Sequence, residues 1–242
     1  MKDRKQIFFG NANNQEFNEA LKVIRTNLDF LNEEEKSRVI LVTSSIPKEG
    51  KSMIASNYAI SLATIGEKVL LVDCNIKKPM IHKKFELFFD KGLESILSGE
   101  KEIGDVIIKE VEKNLDILPI KQMVSETTKL FFKKRLKMIL HEVVGKYNTV
   151  ILDAPSLMIS SDAAIISKYC DGVIFVIGYN QITQKELEFG KTILDNAKAN
   201  IYGFIVNKVD KSGVLFGNYR YYNRDYYNKK AGVFEKIFRI FK

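Results

Sequence analysis

Residues 39–52 read VILVTSSIPKEGKS, and this stretch decides the fold. Its first five residues form an apolar run that is too short for a helix and lacks in/out alternation. Such a run predicts a strand that is buried on both faces of a parallel sheet. The chain then turns through a short loop to Gly50-Lys51-Ser52, and a helical pattern follows over about 51–65. This order predicts a phosphate-binding loop, because backbone N–H groups and the positive helix end then face phosphate oxygens.

The residue types of the loop suit a nucleotide and its metal ion. Lys51 is expected to reach the β- and γ-phosphates, and the Ser52 hydroxyl is expected to bind Mg²⁺. Ser45 stands where the usual pattern has its first glycine, so a surface turn with an incidental lysine remains the alternative. The expected nucleotide contacts come from seven consecutive residues: Pro47, Lys48, Glu49, Gly50, Lys51, Ser52 and Met53.

Short apolar runs and helical patterns alternate along the chain. Further strands are predicted at residues 68–72, 115–118, 149–152, 172–177 and 202–206, and further helices at about 15–31, 127–145, 161–169 and 183–198. This alternation predicts an α/β fold with a doubly wound, mostly parallel sheet. The pattern stops after Lys208, so we place one domain at 1–210 and a separate C-terminal segment at 211–242.

Two of the predicted strands end in an aspartate. Asp73 follows the second strand and Asp153 follows the strand at 149–152. Ligands of open α/β sheets bind at the carboxyl ends of the strands. Asp153 is expected to support Mg²⁺, and Asp73 to bind the metal or to orient or deprotonate an incoming hydroxyl. Either one alone could be a loop carboxylate or a helix cap. Together with Lys51, they predict a catalytic ATP or GTP site.

The positive charge of the chain is concentrated at its C-terminus. The net charge is +8 over 242 residues, and the last 24 residues carry +5 of it. Two cysteines are too few for a disulfide framework or a cysteine zinc site, which favours a reducing cytosol. The sequence contains no run of 18 uncharged apolar residues, so no membrane span is expected.

Half of the ten tyrosines lie within nine residues of this basic segment. They are Tyr219, Tyr221, Tyr222, Tyr226 and Tyr227. Charged residues between them argue against an aromatic core strand. A strip that stacks on nucleic-acid bases is a second alternative. We favour exposed phospho-acceptors and expect no nucleic-acid partner, because the predicted nucleotide site supplies the chemistry that would modify them.

Residues 233–242 (VFEKIFRIFK) combine six apolar side chains with three cations. On a helix most of the apolar side chains share one face. One interpretation is a peripheral membrane contact strengthened by anionic lipid. The other is a helix that packs on the protein itself or on a neighbouring subunit, and the sequence leaves both open.

These features together resemble the bacterial tyrosine kinases of the capsule and exopolysaccharide type, which have a P-loop fold of the deviant Walker type. The resemblance covers nearly the whole chain. It identifies the loop around Lys51 as Walker A, the strand that ends at Asp73 as a second Walker-type motif, and residues 150–155 (VILDAP) as Walker B. Asp162 also falls on a family aspartate. The tyrosine cluster is the most diagnostic feature, because related ATPases lack it.

The resemblance implies several further properties. The helix at 15–31 resembles the family's Glu-x-x-Arg-x-x-Arg segment, with Lys22 at the first arginine position, so Glu19, Lys22 and Arg25 are expected to pack subunits into a ring. Asn207 lies where related ATPases read the adenine edge. The expected partners are other copies of this chain, the cytoplasmic segment of a transmembrane activator and a cognate tyrosine phosphatase. The expected location is the cytoplasm, at the inner face of the cell membrane.

One departure from the family concerns the second Walker-type motif. The family usually has Asp-x-Asp there, whereas this chain has Asp73-Cys74-Asn75. An amide can accept a hydrogen bond but brings no negative charge. A weak or activator-dependent enzyme is therefore expected. Two alternatives remain: a nucleotide-binding scaffold, or a membrane-associated positioning or partitioning ATPase. The latter usually has an additional lysine where this chain has Ile46.

Overall fold

The computed structural model describes residues 7–10, 14–31, 37–121 and 127–209, without the side chains of residues 127–134. Seven strands form one sheet in the order β3-β4-β2-β5-β1-β6-β7. Their bounds are β1 Arg38–Ser44, β2 Val69–Asp73, β3 Ile108–Glu112, β4 Leu115–Leu118, β5 Thr149–Asp153, β6 Gly172–Gly178 and β7 Ile201–Asn207. Six of them coincide with the predicted strands, and all neighbouring pairs except β3 and β4 are parallel. The predicted mostly parallel α/β fold is confirmed.

Strand β3 was missed by the sequence prediction. It pairs antiparallel with β4 at the edge of the sheet. Its sequence, Ile-Lys-Glu-Val-Glu, is charged and half-exposed, and Glu110 has a φ of +48° within it. An edge strand with an irregular register needs neither the apolar run nor the alternation from which a strand is predicted.

Eight α-helices are described. They are α1 Gln15–Asp29, α2 Lys51–Thr64, α3 Ile81–Lys84, α4 Leu93–Ser98, α5 Ile103–Val106, α6 Thr127–Val143, α7 Asp162–Ile166 and α8 Gln184–Asn196. The helix predicted at 161–169 consists of α7 and a 3₁₀ turn at Ser167–Tyr169. The short helices α3, α4 and α5 were not predicted, because four to six residues are too few to show a helical period.

The central strands are buried on both faces because helices cover the sheet on each side. Along β1, Val39 and Leu41 face one apolar core, whereas Ile40 and Val42 face the other. The first core also contains residues of α4, α6, α7 and α8, and the second contains residues of α1, α2 and α3. This arrangement explains why the strands read as continuous apolar runs.

None of the described helices is long and apolar enough to cross a membrane. The predictions on the domain boundary at 210, the five clustered tyrosines and residues 233–242 lie outside the described residues.

Candidate active site

The loop between β1 and α2 has the form of a phosphate-binding loop. Gly50 immediately precedes α2 and has a φ of +99°, in the left-handed region that favours glycine. Its carbonyl accepts hydrogen bonds from the N–H groups of Met53 and Ile54, at 2.9 and 3.0 Å. Lys51 and Ser52 then lie in the first turn of the helix. The Walker A residues are therefore placed at a helix N-terminus, as predicted from the sequence.

Glu49 fixes the shape of this loop from inside. Its side chain is completely buried, and its two carboxylate oxygens accept hydrogen bonds from the N–H groups of Ile46 and Gly178, both at 2.9 Å. Burial raises the pKa of Glu49, although these hydrogen bonds oppose the shift. The carboxylate thus links the loop to the end of β6, and the backbone of Glu49 is the part available to a nucleotide.

Ser45, which replaces the usual first glycine, is accommodated by a second glycine. Its side chain is fully buried, and its hydroxyl has no hydrogen-bond partner among the described residues. A Cβ on Gly190 of α8 would collide with the Ser45 hydroxyl. A glycine at position 45, as in the usual Walker pattern, would need no such space. Here the absence of a Cβ on Gly190 of α8 leaves room for the Ser45 side chain.

Asp73 and Asp153 are neighbours in the sheet, as the strand ends predicted. They are register partners on the parallel strands β2 and β5, and both are completely buried. Burial and the negative charge of Asp153 raise the pKa of Asp73 to about 7. Burial also raises the pKa of Asp153, whereas the positive charge of Lys51 opposes that shift. Two carboxylates this close need a cation to be charged together.

The two carboxylates differ in their hydrogen bonds. Asp73 accepts from the backbone N–H groups of Asn75, Met80 and Ile81 at 2.9–3.0 Å, so it shapes the loop between β2 and α3. Neither oxygen of Asp153 accepts a backbone hydrogen bond within the described part of the chain. The Ser52 hydroxyl and the Lys51 and Lys84 ammonium groups are the described groups that favour its charged form. A buried carboxylate without such a partner is costly unless a ligand completes it.

The Asp153 carboxylate and the Ser52 hydroxyl fit a Mg²⁺ ion. Both supply the hard oxygen ligands that this ion prefers. The described residues contain no group of three histidine, cysteine or acidic side chains that could hold a metal. Mg²⁺ is commonly bound through one or two carboxylates together with phosphate oxygens and water. The residues present therefore suit a metal that arrives with a nucleotide.

Asn75, which replaces the second aspartate of the family motif, is nearly buried. Its side-chain oxygen accepts a hydrogen bond from the Lys78 N–H at 3.3 Å. The amide therefore supports the turn after β2, a role that a carboxylate oxygen could perform equally well. Its neighbour Cys74 is completely buried, and burial raises the pKa of its thiol well above the usual value. Both properties fit a structural cysteine rather than a nucleophile.

Lys84 is a site residue that sequence reasoning missed. It ends α3 and is only 4% exposed. Burial lowers the pKa of its ammonium group, attraction to Asp153 opposes this shift, and repulsion by Lys51 adds to it. Two ammonium groups therefore act on the Asp153 carboxylate. Residues 81–85 (IHKKF) do not reveal this burial. Lys83 and Lys84 are adjacent lysines, and only the face that each occupies on a four-residue helix makes one exposed and the other buried.

The last strand reaches the phosphate-binding loop through Asn207. Its side-chain N–H group donates a hydrogen bond to the Glu49 carbonyl at 2.8 Å. The loop that follows β5 also lies against this region, because the N–H groups of Leu157 and Met158 donate to the carbonyls of Ser44 and Ser45. Asp162 is the first residue of α7 and accepts a hydrogen bond from the Ser160 hydroxyl at 2.6 Å. Its contact is thus local.

The residues predicted to pack subunits lie together on α1, which packs against α2. Lys22 and Glu19 form an exposed ion pair of 2.7 Å. Arg25 donates a hydrogen bond to the Ser61 carbonyl of α2 at 3.0 Å, so one of its guanidinium donors is already used within the chain. A surface cavity of about 390 Å³ adjoins the pair; it is lined by Phe9, Gly10, Gln15, Asn18, Glu19 and Lys22.

Comparison with known proteins identifies the family. Residues 37–203 match the family described as AAA domain. The chain is 31% identical over 189 residues to the tyrosine-protein kinase YwqD of Bacillus subtilis (strain 168), covering 78% of this chain and 80% of that protein. The chain belongs to the bacterial tyrosine-protein kinases. Tyrosine-protein kinase CpsD of Streptococcus agalactiae is 30% identical over 85% of this chain and 90% of its own.

Solved structures of other proteins agree with the fold. The chimerical protein CapA2B2 has a TM-score of 0.78 and 28% identity, covering 85% of this chain and 91% of its own. The kinase domain of Escherichia coli tyrosine kinase ETK has a TM-score of 0.75 and 27% identity, covering 81% and 76%. The septum site-determining protein MinD of Pyrococcus horikoshii OT3, complexed with Mg-ADP, shares the fold alone, at a TM-score of 0.62 and 23% identity.

The predicted enzyme class and P-loop fold are therefore confirmed: the protein is a protein-tyrosine kinase of a nucleotide-binding family. The identity of the individual site residues stays a prediction. Lys51, Ser52, Asp73, Asp153 and Asn207 are all brought to the carboxyl edge of the sheet or to the loop beside it.

Proposed function

We propose that this tyrosine kinase uses Mg²⁺-ATP to phosphorylate the five tyrosines between Tyr219 and Tyr227 on a neighbouring copy of itself. The buried carboxylate of Asp153, which lies beside the P-loop and accepts no backbone hydrogen bond among the described residues, carries the proposal. It provides a place for a metal–nucleotide complex in a chain that belongs to the tyrosine kinases. The five tyrosines lie in the same chain and are surrounded by charged residues.

The proposed roles follow from the geometry. Lys51 binds the β- and γ-phosphates, while Ser52 and Asp153 hold Mg²⁺, which neutralises charge that develops on the phosphates. The tyrosine oxygen forms a bond to the γ-phosphorus, the bond to the bridging oxygen of ADP breaks, and the hydroxyl proton passes to a carboxylate. Asp73 is the candidate acceptor of that proton, because its raised pKa of about 7 makes it more basic than an ordinary carboxylate.

Asn207 supports ATP rather than GTP as the nucleotide. The Glu49 carbonyl can only accept a hydrogen bond, so the amide nitrogen of Asn207 must face it. The side-chain oxygen of Asn207 is then turned away from the loop and offers an acceptor. The exocyclic amine of adenine is a donor, whereas guanine presents a carbonyl oxygen at the corresponding position.

Phosphosite mapping tests this function. Purified protein in Mg²⁺-ATP should gain phosphate on tyrosines between Tyr219 and Tyr227, measured by intact mass and peptide mass spectrometry, with a candidate activator peptide as a second condition. Lys51→Met should reduce incorporation by about 10²-fold or more, because it removes a charge that binds the transferred phosphoryl group. ATP hydrolysis without phosphotyrosine would instead favour a positioning ATPase. Nucleotide binding without either reaction would favour a scaffold.

Subunit packing through α1 is the second part of the proposal. Glu19 and Lys22 are exposed beside the surface cavity, whereas Arg25 is partly engaged with α2. We expect Glu19→Ala to lower the oligomeric mass measured by light scattering without reducing thermal stability. Lys146→Ala breaks another exposed ion pair, with Glu142, and serves as the matched control. Unchanged mass in Glu19→Ala, with an oligomeric wild type, would contradict a role for this face.

Phosphorylation would reverse the charge of the C-terminal segment. Each phosphate adds about −1.5 to −2, so five add roughly −8 to −10 to a segment that carries +5. Unmodified segments can dock at a neighbouring subunit, whereas modified segments are repelled, and this repulsion loosens the ring.

We further propose that the ring works at the inner face of the cell membrane in capsule or exopolysaccharide export. A cytoplasmic segment of a transmembrane activator would start the cycle, a tyrosine phosphatase would reset it, and residues 233–242 could add a lipid contact.

A further inference from the structure

Lys208 contacts the phosphate-binding loop directly. Its ammonium group donates one hydrogen bond to the Lys48 carbonyl at 2.5 Å and another to the Gln181 side-chain oxygen at 3.0 Å. The two contacts join residues that are 160 and 27 positions away in the sequence. Lys208 itself has a φ of +60°, so the chain turns sharply at this position, directly after β7 ends at Asn207.

Two consecutive residues at the end of β7 thus donate hydrogen bonds to the carbonyls of two consecutive loop residues. Asn207 holds the Glu49 carbonyl, and Lys208 holds the Lys48 carbonyl. The fit is close, because a Cβ on Gly50 would collide with the Asn207 amide. Lys48 also has a positive φ of +69°, so the loop adopts an uncommon backbone conformation at the point where Lys208 binds it.

Planarity of the peptide bond gives these contacts a functional consequence. In a trans peptide the C=O and the next N–H point in opposite directions. A Lys48 carbonyl held towards Lys208 therefore turns the Glu49 N–H to the other side, and the Asn207 contact does the same for the Gly50 N–H. Neither of these N–H groups finds an acceptor among the residues that the structure describes. Such N–H groups in a P-loop are the donors that bind phosphate oxygens.

We infer that Lys208 is a positioning residue of the nucleotide site: by holding the Lys48 carbonyl it aims the Glu49 N–H at a phosphate, and it couples the loop to the end of β7. This inference rests on the proposed binding of ATP. Coupling is reciprocal, so a nucleotide that tightens the loop also tightens the Lys208 contact. Tyr219 follows only eleven residues later in the sequence.

Calorimetric titration of the full chain with Mg²⁺-ADP tests the inference. Lys208→Met removes the donor but keeps most of the side chain, and it should weaken ADP binding about tenfold, equivalent to about 1.4 kcal/mol. Lys208→Arg retains donors and should stay within about threefold of the wild type. Lys185→Met, which removes another exposed lysine from the first turn of α8, is the matched control and should bind like the wild type.

Thermal unfolding separates positioning from a structural role. Without nucleotide, Lys208→Met should unfold at the wild-type temperature, because the Lys208 side chain is exposed. With Mg²⁺-ADP it should show a smaller stabilisation than the wild type. Gln181→Ala removes only the second contact of the ammonium group and should weaken ADP binding by a smaller factor, about twofold to threefold.

Two results would overturn the inference. One is Lys208→Met binding ADP as tightly as the wild type. The other is an apo unfolding temperature that falls in proportion to the lost affinity, which would show a structural role. A wild type that binds no ADP, while retaining its thermal unfolding transition, would overturn the proposed function as well. The two failures are thus distinguishable.

Discussion

Asp153→Asn should raise the free energy of unfolding of the nucleotide-free protein by about 1–2 kcal/mol at pH 8, while lowering tyrosine phosphorylation by about 10²-fold or more. The carboxylate is completely buried, accepts no backbone hydrogen bond within the described chain and repels Asp73, and the effect of burial outweighs its attraction to Lys51 and Lys84. Its removal relieves that repulsion in the apo protein. It also removes the charge that we assign to Mg²⁺. Urea unfolding and phosphate incorporation measure the two effects.

The free energy of unfolding of Asp153→Asn should depend less on pH than that of the wild type. The pKa of Asp73 is raised to about 7 in the folded protein, so the folded state holds a proton that the unfolded chain has released above about pH 4. Stability therefore falls as pH rises from about 4 to about 7. In Asp153→Asn the pKa of Asp73 should move down, and the fall in stability between pH 5 and 8 should become shallower.

Asp116→Asn is the matched control, and it should lower the free energy of unfolding rather than raise it. Asp116 is also a nearly buried strand aspartate, but it accepts hydrogen bonds from Lys109, Tyr147 and the Glu110 N–H. Burial tends to raise its pKa, yet these bonds prevail and lower it. Asp116→Asn should therefore destabilise the protein above pH 4. If Asp153→Asn destabilised the apo protein as Asp116→Asn does, the assignment of Asp153 as a carboxylate that awaits a cation would be wrong.

Gly50→Ala should weaken ADP binding by about tenfold or more while leaving the protein folded. A Cβ at this position would collide with the Asn207 amide, and the φ of +99° is unfavourable for alanine. To relieve the collision, Asn207 must release the Glu49 carbonyl, so the loop changes shape. We expect this loss of affinity, equivalent to about 1.4 kcal/mol or more, because the loop N–H groups are then no longer oriented towards phosphate. Titration calorimetry measures this loss.

Gly66→Ala separates the collision from the backbone strain. Gly66 has a nearly identical φ of +98°, but no atom lies within 4 Å of an added Cβ. Both variants should lose about 1–2 kcal/mol of stability from the left-handed backbone, and Gly50→Ala should lose somewhat more. Only Gly50→Ala should lose nucleotide affinity. Equal ADP affinity in the two variants would contradict the close fit between the loop and Asn207.

The sequence by itself determined the parts of the molecule that depend on local pattern. Apolar runs without alternation predicted six strands, and Gly50-Lys51-Ser52 predicted the P-loop at the start of α2. The placement of Asp73 and Asp153 side by side was also predictable, because parallel strands bring their carboxyl ends to one edge. The family resemblance, carried mainly by these motifs and the tyrosine cluster, was confirmed by the relatives.

Only the tertiary structure decided which groups meet over long sequence separations. Asn207 and Lys208 reach the loop across 158 and 160 residues, and Lys84 becomes buried near Asp153 although its helix has only four residues. No local period encodes such contacts, since they depend on the strand order that places β7 at its edge of the sheet. For the same reason the difference between Asp73, fully hydrogen-bonded, and Asp153, left for a ligand, arises from loop packing that neither strand's sequence contains.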